Sequence, residues 1–325
     1  MTRICVFGAG AIGGYLAARL ALKGEAEVSV VARGPHLAAM RANGLILKQG
    51  SETFTVRPAL TDDPSELGPQ AYIILTLKSH AVPGIIDALK PLIGQDTAIL
   101  FGQNGLPWWY FYKHGGPFDG HRVEAVDPGG EIWKKLGPER ALGAVIWQAA
   151  EIEAPGVIAH HYGERMPIAE PSGEKTERVT TLSRILTAAG IKSPVRANLR
   201  DEIWLKLWGN LSFNPVSVLT GGTLAALAAD SGTQAVLHTM MSEAQIVAEK
   251  LGVKFSVGID ERIAMASKVG AHRTSMLQDA EAGRPIELDA LLGAVIELAE
   301  MTGTPCPTLK VVYDLTKFRA RPEHA

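Results

Sequence analysis

The sequence predicts an α/β fold followed by an all-helical one. Three observations predict it. Short apolar runs alternate with amphipathic helical stretches in the first part of the chain, those runs carry Val, Ile and Leu on both faces, and from about Asn198 helical periodicity replaces them. At 325 residues the chain is too long for one ordinary core. We therefore expect two domains, residues 1–197 and 198–325, dividing near Ala197.

The elements follow in order. Strands are expected at Arg3–Phe7, Glu27–Ala32, Ala71–Thr76, Thr97–Phe101 and Ala141–Gln148. A pair at Leu45–Gln49 and Thr53–Arg57, separated by Gly50, reads as a hairpin insertion. The first helix, Ala11–Lys23, stops at Gly24. In the second part, helices are expected over Leu199–Phe213, Gly232–Leu251, Asp260–Val269, Ser275–Glu281 and Leu288–Thr302. Asn198 is placed to cap the first of these, with Asp201 and Glu202 in its first turn.

Composition excludes several classes. A net charge of −2 with no Lys/Arg-rich run gives no general attraction for nucleic acid or anionic membrane. No apolar segment approaches the ~20 residues that cross a bilayer, and the short apolar stretch Ile4–Phe7 is no secretory signal. The two cysteines, Cys5 and Cys306, lie in no CxxC pair. Reduced thiols, no metal site and a cytoplasmic location are the expectation.

The first chemical motif is Gly8-Ala9-Gly10-Ala11-Ile12-Gly13, a GxGxxG. Alone it is weak, but a strand ends at Phe7 and a helix begins within it. Gly8 allows the tight turn, Gly10 lets a pyrophosphate approach the backbone, and Gly13 lets helix pack on strand. The phosphates then meet the positive helix end at Ala11 and Ile12. This predicts a Rossmann-type dinucleotide-binding domain. An NAD-binding domain usually ends its second strand in an acid that bonds the ribose 2′-hydroxyl. This chain reads Val31-Ala32-Arg33-Gly34 there, so Arg33 is free to pair with a 2′-phosphate and NADPH is the expected cofactor. At two further strand ends, Lys78 is placed to reach a cofactor phosphate and Asn104 to bridge cofactor and substrate. Each is equally compatible with an ordinary polar loop.

In the helical part, Lys206, Asn210 and Asn214 are spaced i, i+4, i+8 and share one helix face among Trp204, Leu205, Leu207, Trp208 and Leu211. They offer a proton donor and two amides to an oxygen-rich substrate, or else form a solvated stripe. Ser275 and Asp279 share a second helix face as candidate substrate-binding residues, and Glu287, a candidate catalytic residue, follows Pro285 into the next helix. Capping and salt bridges explain this cluster as readily as function does.

Together these motifs, in this order, make the chain resemble the ketopantoate reductase (2-dehydropantoate 2-reductase) family over almost its whole length. The resemblance implies a helical domain like that of 6-phosphogluconate dehydrogenase and reduction of a 2-oxo acid, namely 2-dehydropantoate to pantoate in pantothenate biosynthesis. It also implies that Lys206 is the general acid, that Asn210 and Asn214 bind substrate oxygens, and that Ser275 binds the substrate carboxylate. Glu287 is then where cofactor and substrate meet, and the Ala149-Ala150 backbone touches the cofactor. The sequence departs from the family pattern at Leu224 and His272, where asparagines are expected, and in an insertion holding Trp108–Tyr112. We expect that insertion to cover the site or to form a contact in a homodimer. The alternatives are a related reductase of another 2-oxo acid or imine, and a non-catalytic NADPH-binding regulator.

Overall fold

The computed structural model describes residues 1–321. They form two compact units. One comprises Met1–Gln103, Trp109–His121 and Glu131–Leu199, and the other Asn104–Trp108, Arg122–Gly130 and the chain from Arg200 onward.

The first unit contains β1 (Thr2–Phe7), α1 (Ala11–Lys23), β2 (Ala26–Val31), α2 (Gly34–Asn43), β3 (Leu45–Gln49), β4 (Glu52–Val56), β5 (Ala59–Thr61) and β6 (Gln70–Leu75). It continues through α3 (Ile86–Leu89), β7 (Ile93–Phe101), α4 (Glu131–Leu136), β8 (Ala141–Ala144), β9 (Ala149–Ala154), β10 (Val157–Tyr162), β11 (Ile168–Ala169) and α5 (Glu177–Ala188). The main sheet has the order β11-β8-β7-β6-β1-β2-β5. All its pairings are parallel except that of β11 with β8. Counted in chain order, its six parallel strands read 3-2-1-4-5-6, the Rossmann arrangement, with the switch point between β1 and β6. Ile4, Val6, Val30, Ile74 and Leu100 are fully buried, as strands covered on both faces require.

The expected hairpin forms, pairing Leu45 with Val56 through Gln49 with Glu52 around Gly50. It joins a sheet that the sequence pattern did not reveal, ordered β4-β3-β10-β9. This sheet packs on α1, where Gly14 leaves room for Ile158 and the Tyr15 ring stacks on His160 at 4.5 Å. The strand expected over Ala141–Gln148 is a correction. It ends at Ala144, and the chain crosses through residues 145–148 to β9 in the second sheet. An apolar run cannot by itself say which sheet it serves.

The second unit contains α6 (Leu199–Thr220), α7 (Leu224–Ala229), α8 (Ser231–Lys250), α9 (Ile259–Ser267), α10 (Ser275–Glu281), α11 (Ala294–Met301) and α12 (Pro307–Arg319). The helix expected to end at Phe213 runs on through Pro215 to Thr220. Proline removes one backbone donor, but Phe213, Val216 and Val218 are buried beyond the expected end. Tertiary burial, which supplies most helix stability in proteins, carries the helix past it. Two carboxylates tie the bundle. Glu243 on α8 accepts the Thr308 and Leu309 N–H groups at 3.0 Å, capping α12. Glu297 on α11 accepts those of Glu124 and Ala125 at 2.8 Å.

The aromatic insertion supplies core residues. Trp108, Trp109, Tyr110 and Phe111 are at most 2% exposed. These four side chains are packed into the core, while Tyr112 is half-buried. Each buries roughly 150–250 Å², and Gly143 is a glycine because a Cβ there would collide with the Trp109 ring. Among the described residues no helix is long and apolar enough to cross a membrane.

Candidate active site

In the first unit the glycine motif does what its spacing requires. Gly8 takes φ +99°, a conformation that a Cβ disfavours. A Cβ on Gly13 would strike the Gly8 carbonyl, so helix and strand approach this closely only with glycine there. Gly10 differs, since a Cβ on it would meet nothing within 4 Å. Its hydrogen leaves open space at the start of α1, where among the described residues no side chain caps the helix and no acid occupies the first turn. The unspent N–H groups of Ala11 and Ile12 and the helix dipole therefore remain for an anion. This cradle fits a dinucleotide pyrophosphate.

Thr76, just after β6, donates its hydroxyl to the Gly8 carbonyl at 3.1 Å, and Leu77 packs on Gly8. The half-buried Lys78 is thereby held next to the glycine loop. Gln103 donates to the Leu77 carbonyl at 2.8 Å, tying the ends of β6 and β7. Arg33 stands exposed at the end of β2, preceding α2, and among the described residues no acid is paired to it. Ala150 lies in β9 opposite His160 and packs on the core of this unit.

In the second unit α6 is continuous, so Lys206, Asn210 and Asn214 do share one face. Lys206 and Asn210 are half-buried and Asn214 is buried. Among the described residues neither asparagine side chain is bound to a protein partner. Lys206 keeps some accessible surface, yet protein surrounds its ammonium closely. Desolvation draws its pKa down to about 8, and the Glu287 carboxylate opposes that fall. Lys206 and Glu287, 81 positions apart in sequence, are thus brought together. An ammonium this weakly basic is an acid poised near neutral pH.

Asn104 belongs to this same unit. The helix that follows Glu287 opens with a π turn, Asp289–Gly293. Within that turn the Ala290 carbonyl accepts the Leu106 N–H at 2.9 Å. Gly105 sits at φ +89°, and a Cβ there would collide with Ala290. Asn104 is therefore fixed beside the segment that carries Glu287, and π turns of this kind recur at functional sites.

Ser275 opens α10 and is exposed, one residue beyond its N-cap Thr274. Thr274 is anchored to α6 by a 2.6 Å hydrogen bond with Ser217. Asp279 accepts from Arg284 at 2.9 Å, as a turn-closing ion pair would. Leu224 and His272 are neighbours, since the Leu224 N–H donates to the His272 carbonyl at 3.0 Å. Sequence reasoning missed the locking of Asn104 by Ala290, for which the only local signal is Gly105. It also took Gln148 for the end of a strand.

The sequence profile of the ketopantoate reductase PanE/ApbA family matches residues 4–173, and the profile of its C-terminal domain matches residues 198–320. The chain belongs to the ketopantoate reductase family. It is 52% identical over 317 residues, 97% of each chain, to a 2-dehydropantoate 2-reductase of Mesorhizobium japonicum. It is also similar to a Ralstonia solanacearum protein solved as a candidate ketopantoate reductase, with TM-score 0.93, 37% identity and 98% of each chain covered. A PanE/ApbA family ketopantoate reductase of Ralstonia eutropha matches with TM-score 0.84, 26% identity and 98% of each chain. As a member of this family the chain is an oxidoreductase acting on a CH–OH group, and its α/β-then-helical fold is the family's.

Proposed function

We propose that this chain reduces 2-dehydropantoate to pantoate with NADPH, residues 1–197 holding the cofactor and 198–325 carrying the substrate chemistry. The observation that carries the reading is Lys206, a desolvated lysine of pKa about 8 next to Glu287 on a helix face shared with Asn210 and Asn214. The relative at 52% identity supports the substrate, and the absence of an acid at Arg33 supports the phosphorylated cofactor.

Gly8, Gly10, Ala11, Ile12 and Gly13 would hold the pyrophosphate, Arg33 the 2′-phosphate, and Lys78, Asn104, Ala150 and Glu287 the remaining contacts. NADPH supplies the hydride that the ketone carbon receives. As negative charge develops on the carbonyl oxygen, the Lys206 ammonium stabilises it and then donates its proton there, a role typically worth ~10²–10⁴-fold. Asn210 and Asn214 hold the distal polar group and Ser275 the carboxylate, while Asp279 braces the helix that Ser275 opens. Glu287 keeps Lys206 charged until the proton is needed. A second reading, a bulkier or less polar 2-oxo acid, draws on the adjacency of Leu224 and His272. NADPH oxidation with 2-dehydropantoate against linear, branched and aromatic 2-oxo acids tests both. A kcat/KM for 2-dehydropantoate well below that of another acid would overturn the proposal.

A further inference from the structure

Gln148 lies just beyond the carboxyl end of β8, where the chain crosses from the main sheet to β9. It is only 7% exposed, and both its side-chain oxygen and its nitrogen are buried without a hydrogen-bond partner among the described residues. A carboxamide in this state is costly, and buried polar groups in native proteins nearly always have a partner. The backbone here is held firmly. Gly163, at φ +86°, backs onto the Trp147–Gln148 peptide so closely that a Cβ would collide with the Trp147 carbonyl. The Gly163 carbonyl accepts from His160 Nε2 at 2.8 Å, and His160 stacks on Tyr15 of α1. The position of Gln148 is thus set from the same helix that carries the glycine motif.

Open α/β sheets bind ligands beyond the carboxyl ends of their strands, one half of a dinucleotide on each side of the switch point. Arg33 ends β2, on the β1-β2-β5 side. Gln148 comes four residues after β8, the last parallel strand on the β6-β7-β8 side, where the other half of the dinucleotide belongs, and directly precedes β9. A group that satisfies it must offer both an acceptor and a donor. The nicotinamide carboxamide offers both. We propose that Gln148 is a cofactor-binding residue whose side-chain amide pairs with the carboxamide of the nicotinamide ring. This rests on the dinucleotide reading above.

The test compares wild type with Gln148→Leu, and with Gln148→Met as a second variant of similar volume. Three quantities are measured: the melting temperature of the ligand-free protein, the Kd of NADPH, and the Kd of adenosine 2′,5′-bisphosphate, which lacks the nicotinamide. The proposal expects an unlowered melting temperature, NADPH affinity reduced about tenfold, and unchanged affinity for the bisphosphate. Unchanged NADPH affinity in either folded variant would overturn it, because Gln148 would then be served by a buried water alone. Equal losses for both ligands would overturn it too. Failure of the wild-type protein itself to bind NADPH would show that the cofactor reading had failed first.

Discussion

The carboxylate of Glu287 holds up the basicity of Lys206 against the burial that draws it down to about 8. One residue lies mid-helix on α6 and the other at the entry to a π turn, and their opposition sets the working range of the proposed acid.

The proposed reduction needs Lys206 protonated. Its folded pKa of about 8 lies below the ordinary 10.5, so the acid form dominates at pH 7 and disappears as pH rises through 8. The kcat/KM for the 2-oxo acid should be level below about pH 7 and fall roughly tenfold per unit well above 8. A profile still level at pH 9.5 would remove Lys206 from the proton path.

Glu287→Gln removes the charge that favours the ammonium. The pKa of Lys206 should then drop further, shifting the descending limb of the same profile to lower pH and reducing activity at pH 7 more than at pH 6. An unmoved limb would show that Glu287 does not act through Lys206.

Lys206→Ala should lower kcat by at least ~10²-fold, the usual scale of general-acid catalysis. Folding and NADPH affinity should largely persist, since the glycine cradle proposed for the pyrophosphate lies in the first unit. Near-normal turnover would mean that the proton comes from elsewhere.

Arg33 is exposed at the end of β2 and unpaired among the described residues, so its removal should cost little stability. Arg33→Ala should weaken NADPH about 10- to 100-fold, the range for a lost charge-assisted contact, and leave NADH nearly untouched. Equal effects on both cofactors, measured by fluorescence titration, would remove Arg33 from the 2′-phosphate.

Two glycines of one motif should respond in opposite ways. Gly10→Ala adds a methyl group to open space, so the melting temperature should hold while NADPH affinity falls. Gly13→Ala drives a Cβ into the Gly8 carbonyl and should destabilise the ligand-free protein by about 1–3 kcal/mol. If both variants behave alike in thermal melts, the glycines do not divide their roles this way.

Much of the first unit was legible because its signals are local. A strand, three spaced glycines and an amphipathic helix fall within 22 residues, from Thr2 to Lys23, and their geometry follows from backbone sterics alone. The face shared by Lys206, Asn210 and Asn214 was legible for the same reason, since helical periodicity fixes it once the helix exists. The missing acid at Arg33 was likewise plain from the residue itself.

The tertiary structure alone decided the rest. Whether α6 survives Pro215 depends on what buries Phe213, Val216 and Val218, and those partners are distant in sequence. The fate of Trp108–Phe111 turned on Gly143, which leaves the space that Trp109 fills. The second sheet joins β3 to β10 across more than 100 positions, a pairing that no local pattern carries. The pKa of Lys206 needs both its surroundings and Glu287, and the unmet amide of Gln148 exists only once a core has closed around it. Periodicity and sterics act within a few residues, whereas burial and charge depend on neighbours that folding supplies.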